Sequence, residues 1–172
     1  GSSLDSLQLK LNGKNNRLDF LLSWAGVSAG SIEIDETMLK GYIDDGFVDS
    51  RLTVKENQST LLNVGSEVRI NSDTLQFTIA PDTLVFDSKE WQILDGNRIS
   101  YAAEYLRVEN FELSNGQQKI TLGTSLPNHE GEHVGAIFSN FNLTTITSLL
   151  NSEKPLAAGI LNGDVILENP FG

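Results

Sequence analysis

The amino-acid sequence predicts an all-β protein: an antiparallel-rich sheet with one apolar face, and one short helix. Three observations carry that expectation. The first is alternation. Leu7, Leu9 and Leu11 alternate with Gln8, Lys10 and Asn12; Leu18, Phe20, Leu22 and Trp24 follow, then Ile32 and Ile34, then Val48, Leu52 and Val54. A period of two places these side chains on one face of a strand, with Asp, Glu, Lys, Asn and Thr on the other. The second is the supply of turn dipeptides: Asn12-Gly13, Asp45-Gly46, Asp95-Gly96, Asn115-Gly116 and Asn162-Gly163. These residues reach the positive φ that tight hairpins need. The third is the near absence of a 3.6-residue period.

Taken in order, the same signals predict strands over 38–44, 47–55, 59–64, 66–71, 74–80, 83–87, 90–94 and 97–101, and later over 134–141 and 157–168, roughly a dozen or more in all. The clearest hairpin runs from Tyr105 to Ser114, turns at Asn115-Gly116, and returns over Gln117 to Gly123. On its first arm Leu106 and Val108 share one parity and Phe111 and Leu113 the other, so a β-bulge is expected at Glu109-Asn110. The one persuasive helix follows Asn142, a capping residue, with Ile146, Leu149 and Leu150 at helical spacing and Pro155 beyond its end. Pro81 and Pro127 mark strand ends. Leu11-Asn12-Gly13 is echoed by Leu161-Asn162-Gly163, as in a chain cut from a longer strand array.

The bulk properties narrow the function classes. A length of 172 residues suggests one domain over 1–172, large enough to bury about 70% of its unfolded surface. The net charge of −11 disfavours nucleic acid and anionic headgroups, which need clustered Lys and Arg. Contact with lipid tails stays open. With no cysteine there is no disulfide, thiolate metal site or Cys nucleophile. No apolar run is long enough for a membrane-spanning helix, and no signal peptide is visible. The opening Gly1-Ser2-Ser3 and the closing Glu168–Gly172 are expected to be the ends of an excised fragment, with Gly1 a tag scar.

Catalytic chemistry is sparse, and no enzyme activity is expected. His129-Glu130-Gly131-Glu132-His133 matches the H-E-x-x-H pattern of zinc proteases, which needs a helix to set both His on one face. Gly131 in its centre and Pro127 before it speak for a solvated acidic loop instead, even with Glu153 considered as a third ligand. No metal site is expected. Asp44-Asp45 and the Glu130/Glu132 pair read as turns or outward residues. No nucleophile elbow or phosphate-cradling loop occurs. The aromatics Phe20, Trp24, Phe77, Phe86, Trp91, Phe111, Phe138 and Phe141 fall mostly on apolar parity, as core or as the lining of an open trough.

The second half carries a recognisable order: Trp91–Leu94 (Trp-Gln-Ile-Leu), Asn97–Ser100 (Asn-Arg-Ile-Ser), Leu106–Leu113, Gln118–Gly123, then Ala136–Leu143 (Ala-Ile-Phe-Ser-Asn-Phe-Asn-Leu), a short helix, and Ala158–Leu167. It resembles the TamB family of AsmA-like envelope proteins in its Bacteroidetes form, well over about residues 83–172 and loosely before. The resemblance implies a long curved antiparallel-rich sheet, a taco-like half tube or open sandwich with an apolar inner face. It implies a periplasmic protein, anchored in the inner membrane through a segment outside this sequence and working with an Omp85-type outer-membrane barrel. The implied cargo is phospholipid, or outer-membrane protein clients, with no cofactor. By parity the lining is expected to be Leu75, Phe77, Ile79, Leu84, Phe86, Trp91, Ile93, Leu106, Val108, Phe111, Leu113, Ile120 and Leu122. The alternative is a closed β-sandwich for cell-surface adhesion or carbohydrate binding, using loops near Asp44-Asp45 or His129–His133.

Overall fold

A computed structural model describes residues 2–29, 32–82, 84–127, 129–150 and 157–171. Gly1, Glu153 and Pro155, and the side chains of Leu149 and Leu150, lie outside the described residues. In chain order the strands are β1 (Ser2–Ser3), β2 (Ser6–Lys14), β3 (Arg17–Ala29), β4 (Ile32–Asp44), β5 (Phe47–Glu56), β6 (Ser59–Asn71), β7 (Thr74–Ile79), β8 (Val85–Phe86), β9 (Lys89–Glu90), β10 (Gln92–Ile93), β11 (Arg98–Ala102), β12 (Tyr105–Glu109), β13 (Phe111–Asn115), β14 (Gln118–Gly123), β15 (His133–Asn142) and β16 (Ile160–Glu168), with α1 (Thr144–Leu150) between the last two. The all-β expectation holds, with two antiparallel sheets that do not close into a barrel.

The larger sheet runs β2-β3-β4-β5-β6-β7-β11-β12, with β1 continuing beside β3 and the β8–β9 ribbon paired to β6. The smaller runs β10-β13-β14-β15-β16. Strands β3, β4 and β6 have 13 residues each, about 43 Å of extended chain. The tight turns β2–β3, β4–β5 and β5–β6 are made by residues that tolerate positive φ: Asn15 and Asn16, Asp45 and Gly46, Asn57 and Gln58. Two such residues in sequence match the twist of an antiparallel hairpin.

Five local expectations are corrected. Asn162-Gly163 is not a turn but lies inside β16, Gly163 opposite Phe138. The strand expected over 90–94 is split: Glu90 ends β9 in the larger sheet, and Gln92–Ile93 form β10 in the smaller. Asn12-Gly13 is not a turn: β2 continues through both, Gly13 opposite Leu18, and reverses at Asn15-Asn16. Residues 59–71 form one unbroken strand rather than two. The largest correction concerns Tyr105–Ser114, which is not one arm of a hairpin. β12 pairs β11 in the larger sheet, β13 pairs β14 in the smaller, and the chain crosses between them at Asn110, whose φ is 49°. The parity change from Leu106 and Val108 to Phe111 and Leu113 is therefore a change of sheet. Both pairs face inward, from opposite walls.

The core sits where the sheets overlap. Ile79, Leu84, Trp91, Ile93, Phe111 and Phe141 are buried, with Val64, Phe77, Phe86, Ile99, Val108, Leu113, Ile120, Leu122, Phe138, Leu143 and Leu161 packed against them. The Trp91 ring lies 6.2 Å from Phe141 and 6.5 Å, edge-on, from Phe86. One buried polar side chain pins this region. Asn97 accepts from Ile79 N at 2.8 Å and donates to Ile79 O at 2.8 Å and Leu94 O at 3.0 Å. It thereby ties the end of β7 to the turn before β11, meeting both backbone groups of Ile79 and adding to the Asn97 N–Leu94 O bond of the turn. Asn142 caps α1 as expected, its Oδ1 accepting from Thr144 N at 3.0 Å. Among the described residues no helix is long and apolar enough to cross a membrane.

Candidate functional site

Cross-strand register decides what the alternation builds, because directly opposed residues in antiparallel strands share a face. One row reads Leu9, Leu22, Leu39, Leu52 and Val64 across β2 to β6. A second reads Gly13, Leu18, Ile43, Val48, Val68, Phe77, Ile99 and Val108 across the whole sheet from β2 to β12. A third joins Leu7, Trp24, Thr37, Val54, Leu62 and Phe86. These rows lie on the same side of the sheet and make one continuous apolar face.

Between the first two rows runs a line of small side chains. Leu11 and Phe20 lead into Gly41, Ser50 and Ser66, and the line ends at Ile79 in the core. The Ser50 and Ser66 hydroxyls satisfy each other at 2.9 Å. At Gly41 the backbones approach so closely that a Cβ would collide with the carbonyl oxygen of Asp49. The result is a short furrow across β4, β5 and β6, with small residues as its floor, Leu, Ile and Val as its walls, and Phe20 and Ile79 at its ends.

The opposite face is dressed for water. Lys55 pairs with Glu36 directly across the ladder at 2.9 Å, and Thr53 donates to Asn63 at 3.0 Å. The guanidinium carbons of Arg17 and Arg69 lie 3.6 Å and 4.4 Å from the ring centroids of Tyr42 and Phe47. Cation and ring shield each other's apolar surface there.

The apolar face is covered unevenly. The smaller sheet packs over the end formed by β6, β7, β11 and β12. Toward β2 the face is open: Leu7, Leu9 and Leu11 are 64%, 62% and 59% exposed, and Leu18, Phe20, Leu22 and Trp24 are half-buried. Of the expected lining, Ile79, Leu84, Trp91, Ile93 and Phe111 are buried in the core, while Phe77, Phe86, Val108, Leu113, Ile120 and Leu122 are half-buried against it. Leu106 is half-buried and Leu75 exposed. The structure brings these residues together, at the covered end. The open stretch is built by Leu7, Leu9, Leu11, Leu18, Phe20, Leu22 and Trp24, whose alternation is plain in the sequence but whose place in the lining depends on register.

The H-E-x-x-H segment is loop and strand, not helix. His133 opens β15 and is buried rather than solvated. Its Nε2 accepts from Leu126 N at 2.9 Å, so Nδ1 carries the proton and donates to Gly131 O at 2.9 Å. Both ring nitrogens are thus committed to backbone. His129 stacks obliquely on His133 at 5.6 Å and reaches Asp164 at 3.4 Å. Among the described residues no three His, Asp or Glu side chains group as metal ligands.

No family model matches the chain, and no curated protein and no solved structure matches it either.

Proposed function

We propose that this chain is a non-enzymatic segment of a TamB-like conduit, holding phospholipid acyl chains on its apolar face as they pass between the inner and outer membranes of a cell envelope. The observation that carries the reading is a single apolar face running from β2 to β12, capped at one end and open at the other. Each methylene taken out of water contributes about 0.8 kcal/mol, so a two-tailed lipid gains strongly from such a surface. The furrow over Gly41, Ser50 and Ser66 offers an acyl chain a path across the strands without a deep pocket to trap it. The net charge of −11 and the charged opposite face keep the assembly in water. On this reading the full-length protein is periplasmic, anchored to the inner membrane, and partnered by an Omp85-type barrel. Outer-membrane protein clients are the alternative cargo for the same face.

The packed two-layer end favours a second reading, a carbohydrate-binding or adhesion module that works through its loops. Lipid mass spectrometry on protein made in a bacterial periplasm separates the two. Co-purified phospholipid is expected, lost in a Leu7→Asp, Leu9→Asp, Leu11→Asp variant that keeps its fold. Lipid-free wild-type protein that binds a glycan would reverse the order of the readings.

A further inference from the structure

The two sheets each end in a free edge, and the two edges differ in sign. Among the described residues β2 pairs with β3 alone and β16 with β15 alone. Each strand has nine residues, and each leaves a row of backbone N–H and C=O groups without ladder partners. β2 (Ser-Leu-Gln-Leu-Lys-Leu-Asn-Gly-Lys) carries Lys10 and Lys14 and no acid. β16 (Ile-Leu-Asn-Gly-Asp-Val-Ile-Leu-Glu) carries Asp164 and Glu168 and no base. All four are exposed, although Asp164 also contacts His129. The basic β2 edge and the acidic β16 edge are therefore complementary in charge, with the same spacing of four residues between their charges.

We propose that the β2 edge of one copy adds in parallel to the β16 edge of a second copy, joining the larger sheet of one molecule to the smaller sheet of the next. The register follows from the spacing. Placing Lys10 opposite Asp164 sets Lys14 opposite Glu168, because both pairs are four residues apart, and it overlaps all nine residues of both strands. It also sets Leu7 opposite Leu161, Leu11 opposite Val165 and Gly13 opposite Leu167. Leu161 and Val165 face the inner side of the smaller sheet, opposite Phe141 and Ala136. Val165 and Leu167 are 66% and 59% exposed, so the strand addition covers apolar surface left bare on both partners. An antiparallel match of the same charges overlaps only 10–14 with 164–168. Pairing β2 with β2, or β16 with β16, brings like charges to one edge, which disfavours it. The contact is heterologous, so copies add head to tail and close into a ring or extend as a filament.

This inference stands apart from the lipid reading, since it uses the strand edges rather than the furrow. Sedimentation velocity over a wide concentration range tests it. Wild-type protein is expected to associate with concentration, less so at high salt. Lys10→Glu, Lys14→Glu and Asp164→Lys, Glu168→Lys variants are each expected to be monomeric and to associate when mixed, which also shows that both are folded. The chain has no cysteine, so an Asn12→Cys, Ile166→Cys variant reports the register directly through a ladder of intermolecular disulfides. Wild type that stays monomeric throughout, charge variants that associate alone as wild type does, or association without the disulfide ladder would each overturn the proposal.

Discussion

The two ends of the apolar face are made from the same kinds of residue in the same register, yet they meet different environments. At the β6–β12 end a second sheet supplies Trp91, Phe111 and Phe141 as a lid, and the shared residues become core. At the β2–β5 end Leu7, Leu9 and Leu11 are exposed among the described residues. One-sided alternation therefore does not by itself define a binding surface. Coverage does, and coverage is decided by where the chain leaves the larger sheet for the smaller, at Trp91 and again at Asn110. The covered end is the stability of the molecule. The open end is surface that a soluble protein hides unless it serves a partner.

That contrast can be broken from the covered side first. Phe141→Ala, at the centre of the aromatic cluster, is expected to lose about 3–5 kcal/mol in urea unfolding. A loss under about 1 kcal/mol would mean the two sheets do not share a core. Asn97→Ala comes next. It strands Ile79 N and Ile79 O, with a penalty of about 1–3 kcal/mol for a buried group left unpaired. Wild-type stability in that variant would show that these groups reach water and the junction is loose. His133→Phe leaves Leu126 N without its acceptor and is expected to cost about 1–2 kcal/mol by the same reasoning, with no change in metal content by elemental analysis.

The open side sharpens the contrast by responding differently. Leu9→Ala is expected to change stability by less than about 1 kcal/mol, since most of that side chain is already in water. Ser50→Leu with Ser66→Leu fills the furrow floor. If acyl chains run along the furrow, this pair weakens their binding in a fluorescent fatty-acid displacement assay, while leaving the unfolding midpoint near wild type. Unchanged binding would remove the furrow from the path and leave the flat Leu rows as the lipid surface.

Much of the architecture was legible in the sequence, and the misreadings share a cause. The alternation of Leu7 to Trp24 announced strands with one apolar face, and Asn142 announced the helix start. Asp45-Gly46 announced its turn. Asn12-Gly13 misled because a local turn preference was outweighed by the pairing of β2 and β3, which runs on to Lys14 opposite Arg17; Asn15-Asn16 supplied an equally good turn three residues later. The parity slip at Glu109-Asn110 was visible, but a bulge and a sheet change leave the same local trace, and only long-range pairing separates them. The lining chosen by parity, from Leu75 to Leu122, gathers at the covered end, because parity reads the face of a side chain and not what lies over it. Asn97 and His133 gave no sign of their structural roles, because a polar residue that satisfies distant backbone looks like any other polar residue in sequence.

The central claim is that the β2–β5 end of the face takes up acyl chains and the β6–β12 end does not. The protein contains two tryptophans, and they fall one at each end: Trp24 half-buried on β3 opposite Leu7, and Trp91 buried in the core. Single-tryptophan variants, Trp91→Phe and Trp24→Phe, titrated with a phospholipid brominated along its acyl chain, read the two ends separately by contact quenching. Quenching of Trp24 and none of Trp91 is the predicted result. Quenching of neither, in variants that remain folded, would contradict the claim.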